Sequence, residues 1–376
     1  MYNLPVLLSF LWGFFWSLPL SILPSFHGAK IDDMIMLILL FIFLCHGKVN
    51  IKLIAFLFVV ISYSTVYLIF SDFDNDPIAI YVRIIQSMLL VLFSYFIIKN
   101  KLIIPSFKGV ILGGCISLFF FFSFVFKNVD FGLLIVKGSY LVKDAFQYSE
   151  SDPFSIHVNS ISNLYMFIFF CSLSLYLLSK KKIYLYMSFV FLLVPLLMIT
   201  KGVLIGIMLF FLIIYNDCLK QKCGNKYFII VTISMIFILL SSFLFYSNVE
   251  RVFNEYNINM SSRDSIYISA LHAISDNLLG YGLDSQNSII YNYSGINYPA
   301  HNFFLSLALE QGIIAFIISI SAIFIVLKKV ISFSNVFGLG VLVAFLFTGM
   351  FGNLLYFYKL HFFCYWFYIL FRLELL

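Results

Sequence analysis

The chain has 376 residues, of which 62% are hydrophobic and 11% charged, and its mean hydropathy is +1.04. So little polar surface cannot cover a water-soluble globule, and so much apolar surface cannot be left in water, which excludes a soluble enzyme or binding module and leaves an integral membrane protein. The net charge of +6 comes largely from lysines between apolar runs, so it records topology and gives no reason to expect nucleic acid as a partner.

A helical crossing needs roughly 20 apolar residues, and the runs here are continuous rather than alternating, as helices require and a closed barrel does not. In chain order they predict spans at 4–24, 32–46, 51–70, 79–98, 109–126, 161–179, 183–200, 203–216, 227–247, 303–327, 333–352 and 360–376. The expected fold is all-α: one polytopic transmembrane domain over 1–376 with about twelve helices, the second and eighth short for a full crossing. The first run has no basic leader and no small-residue cleavage site, so it is expected to be an uncleaved helix.

Lysine and arginine collect in alternate breaks: Lys48 and Lys52; Lys99 and Lys101; Lys180, Lys181 and Lys182; Lys220, Lys222 and Lys226; Lys328 and Lys329; then Arg372. These breaks are assigned to the cytoplasm, which puts both termini there. Four of the six cysteines, Cys45, Cys115, Cys171 and Cys364, lie in or beside apolar runs, where a thiol behaves as a small hydrophobe. Cys218 and Cys223 share one loop with no histidine nearby, which is a poor zinc spacing. No metal and no cofactor is expected.

Two loops on the non-cytoplasmic side are long enough to hold structure, 127–160 and 248–301. The first carries no motif. In the second, Arg263, Tyr267, Ala270, Leu271 and Ile274 follow Ser261-Ser262 at helical spacing, which predicts a short amphipathic helix at the membrane surface. Gly280-Tyr281-Gly282 then signals a turn, and a stretch rich in Asn, Ser and Tyr leads to Pro299 and His301-Asn302.

Ionisable groups inside a bilayer are costly and usually mark a site. On the topology above, Arg83, Lys201, Arg263 and His301 fall on one side of the membrane, an arrangement that suits a lipid-linked diphosphate: arginine gives bidentate donors to phosphate, and lysine a point charge. His301 and Asn302 open a helix whose positive end would favour an anion and keep the imidazole neutral as a general base, with Asn302 orienting it. Each residue also has a plainer reading. Arg83 can pair within the bundle, Lys201 can snorkel, Arg263 can anchor to headgroups, and His301 can cap its helix. Glu310, about 13 Å further along on the opposite face, is expected to be structural, pairing with a buried cation.

The ordered series Arg263, Gly280-Tyr281-Gly282, His301-Asn302, Glu310 and Gly312, the last four within HNFFLSLALEQGI, resembles the signature of the O-antigen ligase and polymerase superfamily. The likeness is strong over some fifty residues, and elsewhere rests on span count and loop placement. Thr200-Lys201-Gly202 stands where that family usually has Ser-Arg-Gly, so Lys201 keeps the charge and loses the fork. Tyr267 takes the aromatic place four residues after the arginine.

What the resemblance implies is a metal-independent glycosyltransferase of the bacterial inner membrane, acting at the periplasmic face on undecaprenyl-diphosphate-linked glycans without a nucleotide sugar. His301 would deprotonate the attacking hydroxyl and Arg263 and Lys201 would hold the leaving diphosphate, with inversion. Phe-, Ile- and Tyr-rich composition resembles the O-antigen polymerases more than the ligases, so a chain-length regulator is the expected protein partner besides membrane lipids. A lipid-linked oligosaccharide flippase is the rival from another class; it would show repeat-related halves and midplane sites, whereas here the polar groups gather in one loop.

Overall fold

The computed structural model describes residues 3–18, 31–46, 51–71, 77–130, 141–142, 145–146, 158–198, 200–220, 261–300, 302–332 and 335–350, and every regular element among them is helical. In chain order these are α1 (Asn3–Trp16), α2 (Ile31–His46), α3 (Ile51–Ile69), α4 (Pro77–Lys99), α5 (Ile103–Asn128), α6 (Val158–Ser179), α7 (Lys182–Leu197), α8 (Lys201–Lys220), α9 (Ser261–Asp276), α10 (Gln286–Ser294), α11 (Phe303–Ser332) and α12 (Val336–Met350). Four of them, α4, α5, α6 and α11, contain stretches long and apolar enough to cross a membrane, and five shorter helices are also apolar. Ten of the expected spans fall on described helices, while 227–247 and 360–376 lie outside the described residues. Of the first expected span, 4–24, residues 19–24 lie outside the described residues. Helix α1 stops at Trp16, where the Ser17 hydroxyl turns back to the carbonyls of Gly13 and Phe14, and Pro19 follows in sequence.

The chain forms two compact units, Met1–His46 with Tyr95–Tyr256 and Leu375–Leu376, and Gly47–Ser94 with Asn257–Glu374. In the first, α1 and α5 cross with their backbones in contact. A Cβ on Gly13, Gly109 or Gly113 would collide with a carbonyl oxygen of the opposite helix, so the absent side chains are what permit the approach. Without a hydrophobic drive between helices in lipid, such close packing is a main source of cohesion. Helix α6 is buried from Ser160 to Leu175, pinned by hydroxyl bonds from Ser117 to Tyr165 (3.0 Å), Ser162 to Thr200 (2.6 Å) and Ser172 to the Tyr184 carbonyl (2.7 Å). From the 127–160 stretch, Phe146 stacks on Phe121 of α5.

In the second unit, α9, α10 and the start of α11 enclose an apolar cluster of Ile266, Ala270, Ala273, Ile290, Ala300 and Leu309, flanked by Tyr267, Ile274, Tyr281 and Leu305. The helix expected after Ser261-Ser262 is present as α9, but Leu271, assigned to its apolar face, is exposed; Ile266, Ala270 and Ala273 make the buried stripe. A second cluster joins Ile80 and Ile84 of α4 to Leu283, with Tyr67 and Leu68 of α3 beside it.

Candidate functional site

Helix α11 is broken. Gly312 has φ 76° and ψ 177°, a conformation that is essentially glycine-only, and it divides the helix into a nine-residue half, Phe303–Gln311, and a longer half beyond. At the end of the first half the last carbonyls lose their intrahelical partners. The Gly280-Tyr281-Gly282 turn supplies replacements: the Tyr281 N–H donates to Leu309 O (2.8 Å) and the Gly282 N–H to Glu310 O (3.0 Å), while Ile313 N–H, just past the break, donates to Leu278 O (2.9 Å). The Tyr63 hydroxyl reaches from α3 to Gln311 O (2.7 Å).

This docking explains the glycines. Gly280 (φ 87°) and Gly312 approach so closely that a Cβ on the first would lie 2.5 Å from the second's nitrogen, and a Cβ on Gly312 would lie 2.5 Å from Leu279 O. Gly282 (φ 98°) passes against the Cα of Ser71 at the end of α3. The turn is held from its other side by Tyr67, whose hydroxyl donates to Leu279 O (2.6 Å), and by Asn277, whose carboxamide closes 277–280 through Leu279 N and Gly280 O. Leu283 N–H then donates to the Ser71 hydroxyl (2.6 Å).

Inside the unit a short polar chain crosses from α10 to α11. The Gln286 amide nitrogen donates to Glu310 Oε1 (2.9 Å), and its oxygen accepts from the Ser306 hydroxyl (2.9 Å). All three side chains are buried, where an unmatched polar atom would be costly, so the set fixes α10 against one face of the half-helix. Glu310 Oε1 is thus met by an amide. On the rim, the Tyr293 hydroxyl donates to Asp276 (2.6 Å), and that bond, with a second to Tyr281, holds its pKa above the usual tyrosine range.

The expected diphosphate ligands are distributed as follows. Arg83 is half-buried on α4, in the turn bounded by Ile80 and Ile84 that packs on Leu283. Arg263 lies in the first turn of α9, and Lys201 opens α8 in the first unit, next to Thr200, which Ser162 holds; the side chains of both cations lie outside what is described. His301 also lies outside the described residues. Its neighbours do not: Ala300 is buried in the apolar cluster, and Asn302 caps α11, its side-chain oxygen accepting from Phe304 N–H (3.0 Å) and Leu305 N–H (3.3 Å). The cap therefore belongs to Asn302. Two N–H groups expected to face an anion are occupied by it, which leaves side-chain cations as the main source of positive charge for a phosphate.

Sequence reasoning overlooked Gln286, Ser306, Tyr63 and Tyr67. A signal for the tyrosines was available, because Tyr63, Tyr67 and Ser71 are spaced by four and put a polar stripe on one face of an apolar helix. Among the described residues, no group of three or more His, Cys, Asp or Glu is placed to hold a metal ion.

An all-helical membrane protein with a signature loop docked on a broken helix is the class these features define. Residues 156–320 match the family described as O-antigen ligase, a finding that supports the resemblance to the O-antigen ligase and polymerase superfamily. The match runs from the start of α6 to eight residues past the break in α11. No curated protein matches the chain.

Proposed function

We propose that this protein is an O-antigen polymerase, which joins glycan units carried on undecaprenyl diphosphate at the periplasmic face of the bacterial inner membrane. The observation that supports the reading is that the described part of the signature packs together: the Gly280–Gly282 turn docks on the helix break at Gly312, Glu310 is bonded beside it, and Asn302, the residue after His301, caps the same half-helix. Such a scaffold suits a reaction in which the protein must position two glycans and a proton acceptor without a metal.

In this reading His301 takes the proton from the attacking sugar hydroxyl as that oxygen bonds to the anomeric carbon from the face opposite the diphosphate. The anomeric C–O bond breaks, and its electron pair leaves with the diphosphate, whose charge Arg263, Lys201 and Arg83 balance. The imidazolium then releases its proton to water.

Ligation of a finished glycan to lipid A core is the second reading, favoured by the description of the matching family. Sizing the surface glycan of a deletion strain separates the two. A single repeat on lipid A core supports the polymerase; lipid-linked polymer with bare core supports the ligase and overturns the first reading. His301→Ala in the same strain should reproduce the deletion, and normal glycan from that variant removes the proposed base.

A further inference from the structure

Gln286 is not part of the signature, yet it makes the central contact of the second unit. Its single amide spans Ser306 and Glu310, two residues four apart and hence on one face of the half-helix. The half-helix is short, about 13 Å. Apart from its packing, it is oriented by the Asn302 cap at one end, by the docked turn with the Tyr63 and Ser64 hydroxyls on Gln311 at the other, and by Gln286 between them. The end contacts fix where the half-helix begins and stops. Those made to backbone groups act close to its axis and resist rotation about it weakly; Ser64 holds one side chain at the far end, whereas Gln286 grips two side chains from the side, at two levels.

Rotation matters because of what precedes the helix. A turn of about 10–20° about the axis, carried through Asn302, moves a side chain on the preceding residue by an ångström or so, a displacement that can cost on the order of 100-fold in rate. We infer that Gln286 and Ser306 are positioning residues that set the rotation of the half-helix, and with it the delivery of the general base; this rests on the functional reading above. The clamp acts on the chemical step and leaves donor affinity alone, since the cations assigned to the diphosphate belong to α4, α8 and α9.

The test uses the full-length protein in membranes and, as donor, the lipid-linked glycan extracted from the deletion strain. Ser306→Ala removes one of the two grips and adds no charge. It should lower kcat by roughly 5- to 10-fold and leave the donor KM within about twofold, in a protein that elutes as wild type from a sizing column. Gln286→Glu sets two carboxylates against each other and should lower kcat by roughly 10- to 100-fold. The exchange Gln286→Glu with Glu310→Gln restores a donor–acceptor match with the roles reversed. The amide, now on α11, can donate to the carboxylate, now on α10, which still accepts from Ser306, and the double variant should recover most of the loss.

Wild-type kcat in Ser306→Ala overturns the proposal, as does a loss confined to KM. An exchange variant no better than Gln286→Glu overturns it too, and so does recovery that only tracks the amount of folded protein. If the wild-type protein does not consume the extracted glycan at all, the functional reading itself has failed, which is a separate and recognisable result.

Discussion

Gly312→Ala tests whether the break in α11 is built by the docked turn. An alanine there must hold φ 76° and ψ 177°, at a cost of about 1–3 kcal/mol, with its Cβ 2.5 Å from Leu279 O, 2.6 Å from Leu279 C and 2.8 Å from Leu278 O. All three are backbone atoms, so no flexible side chain can swing aside. The helix can escape by straightening, which gives Leu309 and Glu310 back their intrahelical partners but leaves Tyr281 N–H, Gly282 N–H and Leu278 O without theirs. At about 1–3 kcal/mol for each group left unmatched, the three lower ends sum to about 3 kcal/mol, so straightening brings no relief.

Gly295→Ala is the matched control. Gly295 also has positive φ (70°, with ψ 4°), but a Cβ there meets nothing within 4 Å, so only the left-handed backbone cost of about 1–2 kcal/mol applies. Thermal unfolding of both variants in one detergent, followed by loss of the monodisperse peak, should show a fall in Tm for Gly312→Ala at least about twice that for Gly295→Ala. Equal shifts would mean that the contact between the turn and the helix break contributes nothing, and the account of the site built on it would be wrong.

Asn302→Ala should cost about 1 kcal/mol of stability through loss of the cap, and Asn302→Asp should retain most of it because a carboxylate still accepts from the first-turn N–H groups; thermal unfolding checks both. Tyr63→Phe leaves Gln311 O without its hydroxyl donor and should destabilise by about 1–3 kcal/mol, read in the same way. Gly109→Leu forces a side chain into the Phe10 carbonyl and should separate α1 from α5, seen as loss of the monodisperse peak, whereas Ile104→Ala on the exposed surface of α5 should not. Leu279 is 65% exposed at the turn beside the break, and a fluorophore on Leu279→Cys should be quenched by brominated lipid; quenching only by aqueous iodide would place this turn away from the bilayer.

Hydropathy made the helices legible because each apolar run had to become an internally bonded helix wherever it met lipid. It could not show the break. Gly312 interrupts no apolar run, and a window average responds to transfer energy and not to φ and ψ, so α11 read as one span. Helix α10 was missed for a different reason: Asn, Ser and Tyr have poor intrinsic helix propensity, and the segment is helical through tertiary contacts, with Ile290 in the apolar cluster and Gln286 bonded to α11. The glycine turn was legible as a turn because positive φ demands glycine, but its docking on a helix thirty residues later depends on backbone carbonyls, which the sequence does not distinguish.

The break also changes how Glu310 is to be understood. Taken as part of one continuous apolar helix, it is a carboxyl group inside hydrocarbon, where its cost demands a functional excuse. With the helix divided at Gly312, residues 313–327, up to Lys328 and Lys329, are about 22 Å long, most of the hydrocarbon core, and Ile314, Ile317, Phe324 and Ile325 are exposed along them, as a lipid-facing surface would be. The first half is then free to lie at the level of the polar loop, with Ser306, Glu310 and Gln311 buried in protein. Gln286 bonds to two of those side chains, and a backbone turn takes up the terminal carbonyls. A charged residue and open helix carbonyls are tolerable in that setting because protein, and not lipid, surrounds them. The same division puts Asn302 at the start of a short helix that its side chain caps at one end and the docked turn closes at the other.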